Sequence, residues 1–178
     1  MKYLHFVIIF LMIISCNEEK QLRVEYISID SEQLKLVYYT KDGIKNGISL
    51  TYFENGDTAE ISNYVNGKLH GINKVFYHNG KILSKNKFKH GQLINTNFWD
   101  VYGNNTLING SGYTIFHYDN GKPKSKTKYP KNKLHGKSIY WYENGNIKME
   151  TYYRNGKPIG IWKFYDEDGI LERTENKN

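Results

Sequence analysis

Apolar and polar residues alternate in short segments along most of the chain, and glycine-containing turns separate these segments. The stretch from Lys85 to Lys89 shows the pattern, because its lysines alternate with Asn86 and Phe88. Alternation with a period of two predicts β-strands, and strands joined by short turns pair antiparallel. The sequence therefore predicts an all-β fold, namely an elongated single-layer antiparallel meander of β-hairpins.

Two series of glycines give this meander a period of 24 residues, which holds between the first two members and among the last three members of each series. The first series is Gly47, Gly71, Gly112, Gly136 and Gly160, and the second, nine residues further on, is Gly56, Gly80, Gly121, Gly145 and Gly169. Both series keep the same offset throughout. A fixed period of this length indicates a row of repeats, each of which is one hairpin.

The two kinds of turn between the strands differ in their predicted geometry. One kind carries Asn-Gly within each hairpin, as in Glu54-Asn55-Gly56 and Glu143-Asn144-Gly145. Asn and Gly tolerate positive φ at both central positions, so a tight type I′ turn is predicted at these sites. The other kind is predicted to be a longer loop with Asn-Gly near its start, as in residues 65–71 and 154–160.

The period divides the predicted repeat domain, residues 23–173, into copies. They lie near 23–46 (a worn first copy), 47–70, 71–94, 95–111 (irregular), 112–135, 136–159 and 160–173 (partial). In the irregular copy Asn95 replaces the expected glycine, and only 18 residues separate Gly103 from Gly121. A bend or a shortened hairpin is predicted there, and a polar tail is predicted at 174–178.

One glycine, four variable residues, paired aromatics and Asn-Gly recur in each regular copy, as in residues 136–145, GKSIYWYENG. This motif resembles the MORN-repeat variant family of bacteria, often labelled YwqK-type antitoxins, over most of residues 43–170. The resemblance implies an extended antiparallel meander and says little about activity. Aromatic choline- or glucan-binding repeats look similar, but the spacing of 24 residues argues against them.

The N-terminus has the features of a lipoprotein export signal. Lys2 precedes an unbroken apolar run of nine residues from Phe6 to Ile14, too short for a spanning helix. The following Ile13-Ile14-Ser15-Cys16 resembles a lipobox, so residues 1–15 are predicted to be the signal peptide and Cys16 the lipidated residue. Residues 16–22 would tether the protein to a membrane of the cell envelope, with the outer membrane expected, facing the periplasm or the surface. The alternatives are ordinary cleavage after Ser15, or a cytosolic protein with a ragged N-terminus.

Large side chains recur on the first strand of each copy, four residues before the turn glycine. They are Tyr52, Phe76, Trp99, His117, Trp141 and Tyr165. Equivalent positions of neighbouring hairpins fall in line on one face of a sheet. We interpret this row first as a structural element that stabilises the sheet by cross-strand stacking, and second as a candidate surface for a partner.

Six lysines form two triplets on the second strands of two copies. They are Lys85, Lys87 and Lys89, then Lys124, Lys126 and Lys128. A period of two places each triplet on one face, where it forms a candidate site for anionic lipid or glycan. The alternative is that these charges keep the sheet in solution and prevent pairing at its edges.

No constellation for catalysis, metal binding or a cofactor is evident from the sequence. Cys16 is the only cysteine, and His70 and His135 precede repeat glycines without the spacing of a metal site. Carboxylates beside turns, such as Glu54, Glu143, Asp166 and Asp168, are usually solvated. The net charge of +7 permits weak attraction to anionic surfaces, but it does not indicate nucleic-acid binding.

These observations favour a non-enzymatic lipoprotein of the envelope that acts as a protein–protein interaction module and needs no cofactor. A sheet with exposed faces and terminal strands can receive a partner by stacking or by strand addition. The alternatives are an immunity or antitoxin role, in which the same surface neutralises a toxin, and binding of anionic lipid or glycan through the lysine and aromatic surface.

Overall fold

The computed structural model describes residues 20–29 and 32–177, and all regular secondary structure in this part of the chain is β. The predicted signal peptide and Cys16 lie outside the described residues. The strands are β1 Lys20–Ile29, β2 Glu32–Lys41, β3 Ile44–Tyr52, β4 Thr58–Val65, β5 Lys68–Leu69, β6 Gly71–Phe76, β7 Ile82–Lys89, β8 Gln92–Trp99, β9 Asn105–Ile108, β10 Ser111–His117, β11 Pro123–Tyr129, β12 Gly136–Trp141, β13 Ile147–Arg154, β14 Lys157–Tyr165 and β15 Leu171–Asn176.

The chain divides into two compact units, residues 1–94 and residues 95–178. In the first unit β1 to β4 pair in chain order, β5 and β6 both pair with β4, and β7 pairs with β6. In the second unit the end of β8 pairs with β9, and the order continues strand by strand to β15. Every one of these pairings is antiparallel, so the predicted all-β antiparallel meander is confirmed.

The strands at both ends reach beyond the predicted repeat domain. β1 begins at Lys20, within the segment predicted as a tether, and β15 continues to Asn176, within the predicted polar tail. The first hairpin pairs over its whole length, from Lys20 opposite Lys41 to Ile29 opposite Glu32. The worn copy at the start of the chain therefore keeps the full hairpin.

The turns within the repeats are three-residue loops, so the prediction of type I′ turns there is wrong. In Glu54-Asn55-Gly56 only the glycine has a positive φ, of 89°. The Gly56 N–H donates to the Phe53 carbonyl at 2.9 Å, and the Phe53 N–H donates to the Asp57 carbonyl at 2.8 Å. The Asn55 side chain accepts the Asp57 N–H at 3.0 Å. This local bond offers Asn55 an alternative to a left-handed conformation.

The turns between the repeats are the tight ones, so the prediction of longer loops is also wrong. Asn66 and Gly67 have φ of 50° and 75°, and the flanking Val65 and Lys68 pair directly. Positive φ at both central residues is the requirement of a type I′ turn. The same pattern of φ occurs at Asp42-Gly43, His90-Gly91, Asn109-Gly110 and Asn155-Gly156.

The irregular copy contains the expected shortened hairpin. β9 has four residues and pairs with β8 at Phe98–Leu107 and Trp99–Asn105. Phe98 and Leu107 are among the most buried apolar side chains of the described residues, with exposed fractions of 3% and 2%. The short strand is therefore closely packed.

Each unit buries small polar side chains between rows of larger ones on the same face. In the second unit Thr127, Ser138 and Thr151 lie opposite one another on β11, β12 and β13. Ser138 and Thr151 are only 1% exposed. Among the described residues the Thr151 hydroxyl has no hydrogen-bond partner.

In the first unit the buried small residues are joined by hydrogen bonds. The Asn73 side-chain amide donates to Glu60 at 2.6 Å and to the Ser62 hydroxyl at 2.9 Å. The Asn86 side-chain amide on the next strand donates to the side-chain oxygen of Asn73 at 2.8 Å. Polar groups that leave water need such partners, and this network supplies them across β4, β6 and β7.

Asp100 holds the loop between β8 and β9. Its carboxylate accepts the N–H groups of Tyr102 at 3.0 Å and Asn104 at 2.8 Å, and the Asn104 side chain at 2.9 Å. Burial raises the pKa of Asp100, but hydrogen bonds from the Asn104 side chain and from the backbone of Asn104, Tyr102 and Gly103 outweigh it and lower the pKa below its usual value. The ionised carboxylate thus stabilises the loop.

We predict that Gly112→Ala destabilises the protein more than Gly136→Ala, although the two glycines are equivalent in the repeat. Both have positive φ, of 134° and 83°, which costs an alanine about 1 kcal/mol. A Cβ at Gly112 would also lie 2.3 Å from the Thr106 carbonyl oxygen, whereas a Cβ at Gly136 meets nothing within 4 Å. Urea denaturation should show about 2 kcal/mol of additional loss for Gly112→Ala. Equal losses would contradict the close contact.

We predict that Asp100→Asn lowers the free energy of unfolding by about 1–2 kcal/mol at pH 7. Because the folded pKa lies below the unfolded value of about 3.9, the stabilisation is complete above that value and is lost as the pH falls through the folded pKa. The gap between the two proteins in urea denaturation should therefore shrink from pH 7 to pH 3. Asp119→Asn, at an exposed loop carboxyl, is the control. A gap that stays constant with pH would refute the role of the charge.

Candidate functional site

A β-bulge beside each three-residue loop determines where the predicted aromatic row lies. Between β3 and β4, Thr51 pairs with Glu60 but Tyr52 pairs with Thr58, so Ala59 is an extra residue without a partner in the register. The same shift occurs in five further hairpins. In the six hairpins, the first-strand residues on the loop side of the bulge are Tyr52, Phe76, Trp99, His117, Trp141 and Tyr165.

These six side chains are half-buried, and the contacts of several are structural. The His117 ring meets the Tyr102 ring edge to face at 4.9 Å, and its Nδ1 is buried without a hydrogen-bond partner in the part of the chain that the structure describes. Tyr52 lines a shallow pocket of about 360 Å³ with Tyr26 and Lys35. Trp141 and Tyr165 line a larger cleft of the second unit, described below. The row is therefore divided among several local environments.

One face of the first unit carries a row of aliphatic residues that ends in lysines. The row crosses six strands in register and consists of Val24, Val37, Leu50, Ile61, Lys74 and Lys85. Beside it the strongly exposed residues are Leu22, Tyr26, Tyr39, Ile48 and Ile72, with exposed fractions from 39% to 55%. We call this surface the aliphatic face. Its chemistry is that of an interface with an apolar centre and a cationic border.

The first lysine triplet lies at the cationic border of the aliphatic face. Lys85, Lys87 and Lys89 are exposed and alternate along β7 with Ser84, Asn86 and Phe88, which are more buried. Lys87 lies opposite Ile72, and Lys85 lies opposite Lys74. Strand alternation therefore places this triplet on one face, next to exposed aliphatic side chains.

The second lysine triplet is interrupted by a bulge. Lys126 and Lys128 lie opposite Ile115 and Tyr113, and the Lys126 ammonium is 4.3 Å from the centre of the Tyr113 ring. Lys124 is the extra residue of the bulge, and its ammonium lies 5.5 Å from the centre of the Tyr118 ring. The alternation that the sequence suggested is therefore not continuous through Lys124.

The second unit has an open cleft of about 440 Å³ lined by aromatic and charged side chains. Its lining residues include Tyr118, Tyr140, Tyr142, Phe164, Lys124, Lys148, Glu172 and Arg173. The Lys148 ammonium lies 5.1 Å from the centre of the Tyr142 ring, and the Arg173 guanidinium lies 3.6 Å from that of Phe164. Cations packed over aromatic faces form the border of this cleft.

Two tyrosine hydroxyls fix the rings of the cleft. The Tyr118 hydroxyl donates to the Trp141 carbonyl at 2.7 Å, and the Tyr142 hydroxyl donates to the Tyr165 carbonyl at 2.8 Å. Each bond reaches the equivalent strand of the next repeat. Burial raises the pKa of Tyr142, and the nearby carboxylates of Glu172, Glu167 and Asp166 add to this effect.

The described histidines and turn carboxylates contact groups of their own or neighbouring turns. His70 packs against the His90 ring at 4.9 Å, and the His135 N–H bonds to the Lys128 carbonyl at 3.2 Å. Asp166 accepts the N–H groups of Asp168 and Ile170, which closes its loop. Within residues 20–29 and 32–177 no three His, Cys, Asp or Glu side chains converge as metal ligands would.

No helix within the described part of the chain is long and apolar enough to cross a membrane. The tether that the sequence predicts rests on Cys16, which lies outside this part. Only the sequence relates the first unit to the predicted tether, because β1 starts four residues after Cys16.

Several residues of these surfaces are not evident from the sequence pattern. Tyr118 and Tyr142 stand three residues before the turn glycines, where Phe53 and Tyr77 are their equivalents. The recurrence of an aromatic residue at this position is a signal from which the sequence could have identified Tyr118 and Tyr142. The aromatic–cation contacts of Lys148 and Arg173 give no such signal, because a bulge changes which neighbours these residues meet.

Comparison with known families supports the resemblance seen in the sequence. The model of the MORN repeat variant matches four segments of the chain, residues 45–66, 69–90, 134–155 and 158–176. These segments contain the hairpins from β3 to β7 and from β12 to β15. No curated protein matches the chain.

Proposed function

Because this chain carries MORN-variant repeats, which commonly serve as modules for interaction with proteins or membranes, we propose that it is a non-enzymatic interaction protein of the cell envelope. It is tethered through lipidated Cys16 and binds another protein through the aliphatic face of its first unit. The observation that carries this proposal is a row of half-buried aliphatic side chains in register, with exposed aliphatic side chains beside it on the same face.

The composition of the aliphatic face favours a protein partner. Interfaces between proteins have an apolar centre, a polar border and frequent aromatic residues. Ile48 and Ile72 are 55% and 42% exposed, and Tyr26 is 50% exposed. A sheet face that presents such side chains without a covering layer offers a broad surface that a partner can bury. The apolar contact would supply affinity, and the lysines at the border would select an acidic partner.

The absence of an enzymatic role is part of the proposal. Proteins built on this repeat are generally non-enzymatic. The carboxylates with fixed positions, such as Asp100 and Asp166, are engaged by backbone N–H groups of their own loops. The chemistry of the described residues is therefore that of packing and recognition.

Binding to an anionic membrane surface is the second candidate, and Lys85, Lys87 and Lys89 favour it. Their ammonium groups border the same aliphatic face, and the predicted lipid anchor would hold that unit close to a bilayer. A basic residue near an anionic surface contributes about 1 kcal/mol. Exposed aliphatic side chains next to such a cluster would add contact with the headgroup region.

We predict that Ile48→Ser together with Ile72→Ser abolishes copurification of the partner from detergent-solubilised envelope. Removing buried aliphatic groups from an interface costs about 1.5–3 kcal/mol for each, so the affinity should fall at least about tenfold. The control is Ile108→Ser with Ile161→Ser, both 54% exposed in the second unit. Equal recovery of one stoichiometric protein with both variants would refute the aliphatic face as its site. If the recovered partner is a toxin, the immunity role is supported.

We predict for the membrane candidate that the protein with Cys16→Ser binds vesicles containing phosphatidylglycerol and releases them as salt is raised. The Cys16 change is needed because a lipid anchor would insert into any vesicle. Replacing Lys85, Lys87 and Lys89 with Gln should abolish flotation with the vesicles. The matched control replaces Lys131, Lys133 and Lys157, which are exposed in the second unit. If neither raised salt nor the replacement of Lys85, Lys87 and Lys89 reduces flotation, binding to an anionic membrane through these lysines is excluded.

A further inference from the structure

A row of alternating aromatic and cationic side chains crosses the second unit. Phe116, Tyr140 and Phe164 occupy one register position on β10, β12 and β14. On β15 Arg173 holds the same position. On β11 and β13 Ser125 and Met149 hold it, and the bulge residues Lys124 and Lys148 lie next to them. We call this row the aromatic–cation stripe. Its last five members line the open cleft, together with Tyr118, Tyr142 and Glu172.

The repeat fold does not require the stripe. In the first unit the positions equivalent to Phe116 and Tyr140 hold Thr51 and Val75. The bulge positions equivalent to Lys124 and Lys148 hold Ala59 and Leu83. The same hairpins therefore form with small or aliphatic residues at these places, and aromatic and cationic residues there are a particular property of the second unit.

The two lysines of the stripe are available to an anion. Each ammonium lies over a tyrosine ring, and neither Lys124 nor Lys148 lies in an ion pair within the described part of the chain. An ammonium on a ring face still directs N–H donors toward solvent. The lining of the cleft carries three cations and the carboxylate of Glu172, so the lining is complementary to an acidic ligand. The carboxylates of Glu167 and Asp166 also lie near Tyr142, outside the lining.

The spacing of the stripe fits an extended sugar chain. Equivalent residues on alternate strands lie about 9.5 Å apart, which is twice the separation of neighbouring strands. In an extended polysaccharide every second sugar recurs at a similar interval. Side chains on one face of an extended peptide recur at only about 6.8 Å, so a peptide does not match this spacing.

We propose that the aromatic–cation stripe binds an acidic polysaccharide that runs across the strands. The apolar faces of its sugar rings pack on Tyr140 and Phe164, and its carboxylates meet the ammonium groups of Lys124 and Lys148. The Tyr118 and Tyr142 hydroxyls are bonded to backbone carbonyls, so their rings hold the lysines in place before the ligand arrives. This site lies in the second unit and is independent of the function proposed for the first.

The test is isothermal titration calorimetry of the full chain in detergent micelles with an oligogalacturonate of at least four sugars. The comparison probes are a neutral oligosaccharide of the same length and a polyglutamate of the same charge. We expect the oligogalacturonate to bind and the other two to bind at least about tenfold more weakly, because only the acidic sugar meets both the rings and the ammonium groups. Equal binding of polyglutamate or of the neutral sugar would overturn the proposal.

Matched variants locate the site. Lys124→Gln with Lys148→Gln should weaken binding of the oligogalacturonate about tenfold or more, since each removes one charge-assisted contact. Lys131→Gln with Lys133→Gln removes the same charge from exposed positions of the same unit and should leave binding unchanged. Tyr140→Leu, with its fold checked by circular dichroism, should also weaken binding. Equal affinity of the two lysine pairs would refute the stripe as the site.

Discussion

The constraint on which the structure depends is that the strands have to bury apolar surface within a sheet face that no second layer of the described residues covers. In the described part of the chain there is no helix to pack on the strands. Ser138 and Thr151 are nevertheless almost completely buried, because they lie between larger side chains on the same face. Small residues at the centre and large residues at the sides thus form a core within one layer. A larger residue at the centre would remove this cover.

The consequence for the other face is that its large side chains stay exposed. In the first unit aliphatic residues such as Ile48 are not covered by the described part of the chain, since the register places them on the face opposite the buried row. Exposed apolar side chains on one face are the basis of the interaction function proposed above. The function proposed for the first unit therefore follows from the same constraint as its fold.

The sequence was sufficient to predict the strands and their order, but not the turn geometry. The spacing of 24 residues and the alternation of apolar positions follow directly from burial on one face, so both are visible without a structure. Asn-Gly occurs in both kinds of turn. The two kinds of turn differ in whether the asparagine side chain accepts a local hydrogen bond from the backbone. The Asn55 side chain accepts the Asp57 N–H and keeps a right-handed backbone, whereas Asn66 adopts positive φ in a two-residue turn.

The candidate surfaces were predictable only in part for a related reason. Strict alternation holds for Lys85, Lys87 and Lys89, because the bulge of that hairpin lies before them at Leu83. It does not hold through Lys124, which is itself the extra residue. The long contacts of Tyr118 and Tyr142 join residues 23 positions apart, and only the three-dimensional stacking of repeats shows them.

The bulge gives each repeat one position whose side chain the strand register does not constrain. Ala59, Leu83, Lys124 and Lys148 occupy this position in four hairpins, and the hairpins pair in the same way around all of them. A duplicated repeat can therefore acquire a new residue there without the cost of refitting its neighbours. In evolutionary terms, the fold separates the residues that preserve the repeat from those that are free to diverge, and a new specificity can arise one copy at a time.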